Sequence, residues 1–256
     1  MLSTFDFRLS TMYLFYATDI PSTAQVGQII VLDAEESTHA VRVLRYTSGN
    51  TIYIADGCGK MYEAVITNPH PKHCEAEIRK IEQQTKHHRA DVHIAVAPTK
   101  NIERIEWAVE KCTEIGIDTI TPLLCRYSER KVIRNDRLQK IILSAAKQSL
   151  SAYLPRLNEL TPIEDCIVNA TEQRRYIAHS SPWLDKRDLR DELRAAQQSA
   201  TGNQQSAIVL IGPEGGFSDE EVRLAIEHGF VPVSLGDARL RTETAAIVAT
   251  MMVNYV

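Results

Sequence analysis

The residues with the clearest chemical promise stand in three short stretches towards the end of the chain. His179-Ser-Ser-Pro182 follows Tyr176-Ile-Ala178, and Gly212-Pro-Glu-Gly-Gly216 follows Ala207-Ile-Val-Leu-Ile211. Gly236 follows Val231 to Leu235 and leads into Arg239-Leu-Arg-Thr-Glu-Thr244. Each stretch sits at the carboxyl end of a strand-like apolar run, the edge at which open α/β sheets bind ligands. Glycine reaches positive φ and has no Cβ, so main-chain N–H and C=O groups there come close to a bound molecule. Tight turns alone would account for one such loop; several converging on one sheet edge make a binding site the better reading. The loop at 212 lacks the Gly-Lys-Ser/Thr ending of a phosphate loop and the G-x-G-x-x-G spacing, and no H-E-x-x-H, EF-hand or G-x-S-x-G pattern occurs. Glu214 among the glycines would repel a phosphate. The ligand expected is one with a positive centre, or a neutral nucleoside.

The elements that must position these loops follow from periodicity. From residue 91 onward strands alternate with helices: Val92 to Ala97, then a helix over Asn101 to Ile115 closed by Gly116, then Thr119 to Cys125, then a helix over Leu138 to Ser149. Strands at 176–178, 207–211 and 231–235 alternate with helices near 188–198, 218–229 and 243–255, the second of these opened by a capping box at Ser218-Asp-Glu-Glu221. This alternation predicts a mostly parallel sheet covered on both faces. The last helix, Ala245 to Val256, is apolar nearly all round and must bury most of its sides, which predicts a homodimer.

Residues 1–85 read differently. Thr51 to Ala55 and Tyr62 to Ile66 flank the turn Asp56-Gly-Cys-Gly59, a hairpin signal that predicts a small antiparallel β domain, interrupted by a short helix over Glu36 to Leu44. Met12 to Tyr16 looks like its first strand, and Met1 to Thr11 are expected to be a dispensable leader. The polar run Gln83 to Ala90 reads as a linker, centred on 86–90.

With 44% hydrophobic and 24% charged residues, the chain has the balance of an ordinary folded protein. No apolar run approaches the ~20 residues that span a bilayer, and the N-terminus is not a secretory signal, so no membrane role and a cytoplasmic location are expected. The five cysteines contain no C-x-x-C pair, which predicts free thiols and no metal site. A net charge of -4 leaves any nucleic-acid contact to local basic patches.

Ile211-Gly-Pro-Glu-Gly-Gly-Phe-Ser218, Leu235-Gly236 and Leu240-Arg-Thr-Glu-Thr-Ala245 together resemble RsmE, the 16S rRNA uridine N3-methyltransferases of the SPOUT class. The resemblance extends to His39-Ala-Val-Arg-Val-Leu-Arg45, Ile52 to Gly57, Lys111 to Gly116, Pro122 and Ser128-Glu-Arg130, and covers nearly the whole chain from Met12. It implies an α/β fold: a PUA-like barrel at 1–85 and a SPOUT domain at 91–256 whose C-terminal part forms a trefoil knot. It also implies a homodimer, 16S rRNA or the 30S subunit as partner, and S-adenosylmethionine as cofactor. Carried over, Ile211, Gly212, Pro213, Glu214, Gly215 and Gly216 would line the cofactor pocket, with Leu235 and Gly236 flanking the adenosine. Leu240, Arg241, Thr242, Glu243, Thr244 and Ala245 would close it, and His179 would touch its rim. The pattern departs at one place: where the family commonly carries Glu-Gln-x-x-Arg, this chain has Lys147-Gln-Ser-Leu-Ser151.

Methyl transfer to a uridine N3 needs the reactants held in line and the N3 proton removed. Arg241 is the candidate to stabilise the uridine anion, or else it pairs with Glu243 or Glu214 to shape the loop; Glu214 or a water would take the proton. Phosphate contacts would come from Arg126, Arg130, Lys131 and Arg134 (with Arg137 in the same run), and from His39, Arg42 and Arg45. Unpaired RNA is the expected target, because pairing hides N3. The readings of other classes are an RNA-binding assembly factor without catalysis and a nucleotide-using metabolic enzyme; another SPOUT enzyme would differ in its target base or ribose.

Overall fold

A five-stranded sheet forms in the first part of the chain because short runs there alternate apolar and polar residues. Its strands are β1 (Leu14–Tyr16), β2 (Ile29–Val31), β3 (Thr51–Ala55), β4 (Lys60–Asn68) and β5 (Glu75–Gln83), in the order β1-β3-β4-β5-β2. Strands β3, β4, β5 and β2 pair antiparallel, and β1 joins β3 in parallel. Phe15, Ile52, Ile54, Tyr62, Ala64, Ile66 and Ile78 are almost wholly buried against one another. The structure, a computed structural model, describes residues 13–86, 90–179, 184–198 and 205–255; the leader expected at Met1 to Thr11 lies outside them.

The helix expected over Glu36 to Leu44 is two structures. Helix α1 (Ala34–Thr38) is capped by Asp33, whose carboxylate accepts from Glu36 N–H at 2.7 Å. A π-helical turn, His39–Val43, follows it, and the chain leaves with Arg45 at φ +57°. Over five residues the apolar spacing of Ala40, Val41 and Leu44 does not separate a 3.6-residue turn from a wider one. The expected linker also gives way at both ends. Gln83 pairs with Lys60 in β5 and Ala90 pairs with Gln205 in the second sheet, so ladder bonds override polar composition.

The chain divides into two units, one made of residues up to Lys86 together with Ala146–Leu154, the other of His87–Ala145 and Pro155–Val256. The early unit therefore includes a segment far along the sequence. There Lys147 forms an ion pair with Glu36, which is 3% exposed, and Tyr16 donates its hydroxyl proton to the Ser151 carbonyl. Ala152 N–H donates to the Gln84 side chain at 2.6 Å, and the Tyr153 hydroxyl donates to the Gln84 carbonyl at 2.9 Å.

The second unit is a parallel sheet. It comprises β6 (Ala90–Val96), β7 (Thr119–Leu124), β8 (Arg156–Leu157), β9 (Thr161–Pro162), β10 (Arg174–Ala178), β11 (Arg187–Asp188), β12 (Gln205–Ile211) and β13 (Val231–Ser234). Their order is β11-β13-β10-β12-β6-β7-β8, with β9 beside β7. Helices α2 (Ile102–Ile115), α3 (Asn135–Gln148), α4 (Ile163–Val168), α5 (Leu189–Gln198), α6 (Asp219–Glu227) and α7 (Thr242–Tyr255) connect and cover them. Ile163 and Ile167 of α4 and Val222 and Ala225 of α6 pack with Ile208 and Leu210 of β12. Helix α7 packs on β6 and β12, with α2 and α5 beside it. The sequence reading omits β2, β5, β8, β9, β11 and α4, most of them runs of two to six residues, too short for a period to show. Among the described residues no helix is long and apolar enough to cross a membrane.

Burial lifts the Glu36 carboxyl above the usual carboxylate range, against the pull of Lys147. Replacing Lys147 by Met leaves that carboxylate uncompensated, and urea unfolding at pH 8 should show a loss of about 2–3 kcal/mol. With its partner gone Glu36 binds its proton more tightly folded than unfolded. The variant's deficit should therefore shrink as pH falls towards 5 and grow as pH rises.

Candidate active site

Strand register brings the three loop stretches to one edge. Strand β10 lies between β12 and β13 in parallel, with Ala178 opposite Ile211 on one side and Val233 on the other. Strands ending at the same level deliver their loops to the same place. There His179, the turn from Gly212 to Phe217, and the segment from Leu235 to Arg241 surround one cleft of about 940 Å³. Thr242, Glu243 and Ala245 from the first turn of α7 complete its wall, while Thr244 lines a neighbouring hollow of about 540 Å³ instead.

Two glycines suit this geometry. A Cβ at Gly212 would lie 3.2 Å from the Gly216 carbonyl carbon and 3.3 Å from the Phe217 ring, so any side chain there would press on the closed turn. Gly236 has φ +116°, a conformation side chains resist. The two loops are tied across the cleft, since the Thr242 hydroxyl donates to the Gly212 carbonyl at 3.0 Å. Gly216 N–H also donates to the Pro213 carbonyl at 2.8 Å, closing the turn.

Two carboxylates of the cleft wall, Glu214 and Glu243, have partners outside it. Glu214 accepts from Lys100 N–H at 3.0 Å, and Glu243, 7% exposed, stands 3.9 Å from the Arg104 guanidinium. Neither pairs with Arg241, which is exposed and forms no ion pair among the described residues. Of the two readings open for Arg241, the ion pair is therefore not made. Burial, then the positive charge of Lys186, pushes the His179 imidazole below its usual range. That holds the ring neutral at neutral pH.

Glu221 joins the glycine turn to the basic loop beyond β7. Its carboxylate accepts from Ser218 N–H at 2.6 Å within the capping box of α6, and from Arg126 N–H at 2.7 Å. The residue is only 4% exposed. The basic run itself is divided. Arg130 donates to the Thr99 and Lys100 carbonyls, Arg134 pairs with Asp136, and Arg137 pairs with Glu106. Arg126 and Lys131 are exposed and form no side-chain ion pair among the described residues. In the first unit Arg42 and Arg45 are exposed, one on the π turn and one just past it. His39 packs its ring edge-on to Tyr13 at 5.9 Å and tilted against Phe15 at 5.8 Å.

The family profile described as an RNA methyltransferase domain matches residues 86–254, and that of an RNA methyltransferase PUA domain matches residues 32–79. The chain belongs to the RNA methyltransferase family. A relative named Ribosomal RNA small subunit methyltransferase E, from Mycobacterium tuberculosis, is 28% identical over 92% of this chain and 88% of its own length. A Porphyromonas gingivalis structure, described as a probable rRNA-methyltransferase, is 38% identical with a TM-score of 0.80, covering 93% of this chain and 95% of that one. The Neisseria gonorrhoeae Ribosomal RNA small subunit methyltransferase E, solved bound to S-adenosyl methionine, is 25% identical with a TM-score of 0.76, covering 94% and 95%.

Several cleft residues of this methyltransferase domain escape sequence reasoning. Arg104 reaches the cleft from α2, and Lys186 from beyond the stretch that follows His179. Neither stands in a motif. The one available signal is that Arg104 lies in the first turn of α2, after the N-cap Asn101, whose side chain accepts from Glu103 N–H at 3.1 Å.

Because buried Glu221 fixes two loops through charge-assisted bonds from main-chain N–H groups, Glu221→Ala should cost about 2–3 kcal/mol in thermal or urea unfolding. Limited proteolysis should then cut within 125–131 faster than in the unaltered protein. Equal cleavage rates would show that the loop is held by other contacts.

Proposed function

We propose that this RNA methyltransferase methylates N3 of a uridine in the 16S rRNA of the small ribosomal subunit, with S-adenosylmethionine as cofactor. The observation that carries the reading is the convergence of main-chain-lined turns, Gly212 to Gly216 and Leu235 to Gly236, on one cleft beside an uncommitted Arg241. The family supplies the reaction class, and relatives along most of the chain are named for the small subunit rRNA. The cleft suits that cofactor: it has room for a nucleoside and an amino acid, and Glu214, Asp237 and Glu243 near its walls suit a sulfonium better than a phosphate. Bound there, it would supply an electrophilic methyl group for N3, with S-adenosylhomocysteine and the N3 proton as the other products.

The chain's own residues hold and polarise. Main-chain groups of the two turns grip the nucleoside, and neutral His179 at the rim adds no positive charge against the sulfonium. Arg241 stabilises the anion formed as uridine N3 loses its proton. Glu214 of the cleft wall or a water takes that proton. The Thr242 bond to the Gly212 carbonyl fits the trefoil knot that the resemblance implies. Arg42 and Arg45 in one unit, and Arg126 and Lys131 in the other, serve as phosphate contacts, with His39, Arg130 and Arg134 shaping those surfaces. The outer face of α7, with Ile247, Val248, Met251, Met252 and Tyr255 partly or fully exposed, is the face for a homodimer. The enzyme acts in the cytoplasm, where small subunits are assembled.

Incubation with labelled S-adenosylmethionine and 30S subunits or 16S rRNA, followed by nucleoside mapping, should yield 3-methyluridine at one position. Label in a ribose or another base would refute the N3 assignment, and calorimetric cofactor binding without transfer would favour a non-catalytic assembly factor. Arg241→Ala should lower kcat about 100-fold while changing cofactor Kd less than threefold. A large Kd change with kcat preserved would make it a cofactor-binding residue instead.

A further inference from the structure

We infer that the hollow beside the cofactor cleft is the seat of the acceptor nucleotide, with Trp107 as the platform on which its base stacks. This inference rests on the methyltransferase reading and adds where the second reactant lies. The hollow has a volume of about 540 Å³, within the range of sites for small molecules. It shares Arg104, Arg239, Leu240, Arg241 and Glu243 with the cleft, so a molecule in one stands against a molecule in the other across those side chains. Methyl transfer requires such adjacency, because the nucleophile and the methyl carbon must come within a few ångströms.

The lining has the chemistry of an unpaired RNA base. Trp107, on the second turn of α2, is 47% exposed although it is among the largest apolar side chains of the chain. An exposed indole face is a stacking surface for any base, and it needs no paired partner to be displaced. Three guanidinium groups, Arg104, Arg239 and Arg241, stand in the same wall. They favour the phosphates on either side of the base and the anion that a uracil becomes when N3 is deprotonated. Arg104 is steadied by Glu243, 3.9 Å away and buried, whereas Arg239 and Arg241 are exposed and form no ion pair among the described residues. The polar side chain of Asn101 is taken up in capping α2, which leaves the Glu103 carboxylate and the Thr244 hydroxyl as the polar groups of the lining beside Glu243 and the three guanidinium groups. The residues shared by the two hollows make the segment from 239 to 243 the partition between the reactants.

The test compares Trp107→Ala and Trp107→Phe with the unaltered protein in three measurements: cofactor Kd by calorimetry, methyl transfer to 30S subunits, and quenching of tryptophan fluorescence by a uridine-containing single-stranded RNA. Trp107→Ala should leave cofactor Kd within twofold and lower kcat/KM for the RNA substrate at least tenfold, as expected for a lost base stack. Trp107→Phe should recover most of that loss, since a phenyl ring still stacks. RNA should quench the unaltered protein and quench Trp107→Phe much less. Unchanged kcat/KM in Trp107→Ala, or equal quenching in both proteins, overturns the assignment. So does conversion of a dimer to a monomer in sedimentation, which would give the ring to a contact between subunits. If the unaltered protein transfers no methyl group, the reaction reading fails by itself, and the quenching comparison still decides where the base binds.

Discussion

The parallel register of β12, β10 and β13 is the constraint on which the rest of the second unit depends. A parallel sheet buried on both faces has no free surface for chemistry except at its strand ends. Here Ala178 stands opposite both Ile211 and Val233, so three loops leave the sheet at one level and must share the space above it. A slip of two residues in any of these pairings would move one loop by about 7 Å along the strand and open the cleft. The Thr242 to Gly212 hydrogen bond and the tight packing around Gly212 are possible only with that register kept.

Around this frame the acidic residues serve order more than charge balance. Glu221 holds two loops by their N–H groups, Glu214 holds the start of the Lys100 loop, and Glu243 steadies Arg104. Each accepts from a main-chain donor or a neighbouring cation, and none neutralises Arg241. The consequence is a positive group left uncommitted between two hollows on a protein whose net charge is -4. Local arrangement, not total charge, sets what the site attracts. The same division separates the basic run into residues that brace the loop, such as Arg130, and residues such as Arg126 that face solvent.

What the sequence made legible and what it hid follow from the range of the interactions involved. The glycine turns at 212 and 236 could be read because their conformations are forced by residues next to them, and the capping box at Ser218 because all its partners lie within four positions. The alternation of strand and helix was legible for the same reason. Arg104 and Trp107 were not, because nothing within α2 says which of its faces meets the loop at 239–243; only the sheet order places β6 beside β12 and so brings α2 there. The π turn at His39–Val43 was hidden by its shortness. The assignment of Ala146–Leu154 to the first unit was hidden for a different reason, since the helical pattern of α3 runs on through Gln148 without a break.

That last segment also accounts for the place where the chain leaves its family's pattern. Lys147 stands where an acid is common, and a reversed charge at a solvated helix end would matter little. It does matter here, because Glu36 is 3% exposed and, among the described residues, Lys147 is the cation paired with it. A buried carboxylate is tolerable only with a partner or a proton, and burial already raises its proton affinity. Lysine at 147 is therefore matched to glutamate at 36 by the electrostatics of one unit, and the pair must change together or not at all. Ser151, where the arginine is common, has likewise been drawn inward: its carbonyl accepts from Tyr16 and its hydroxyl donates to the Tyr153 carbonyl at 2.9 Å. Both positions hold the early unit's fold.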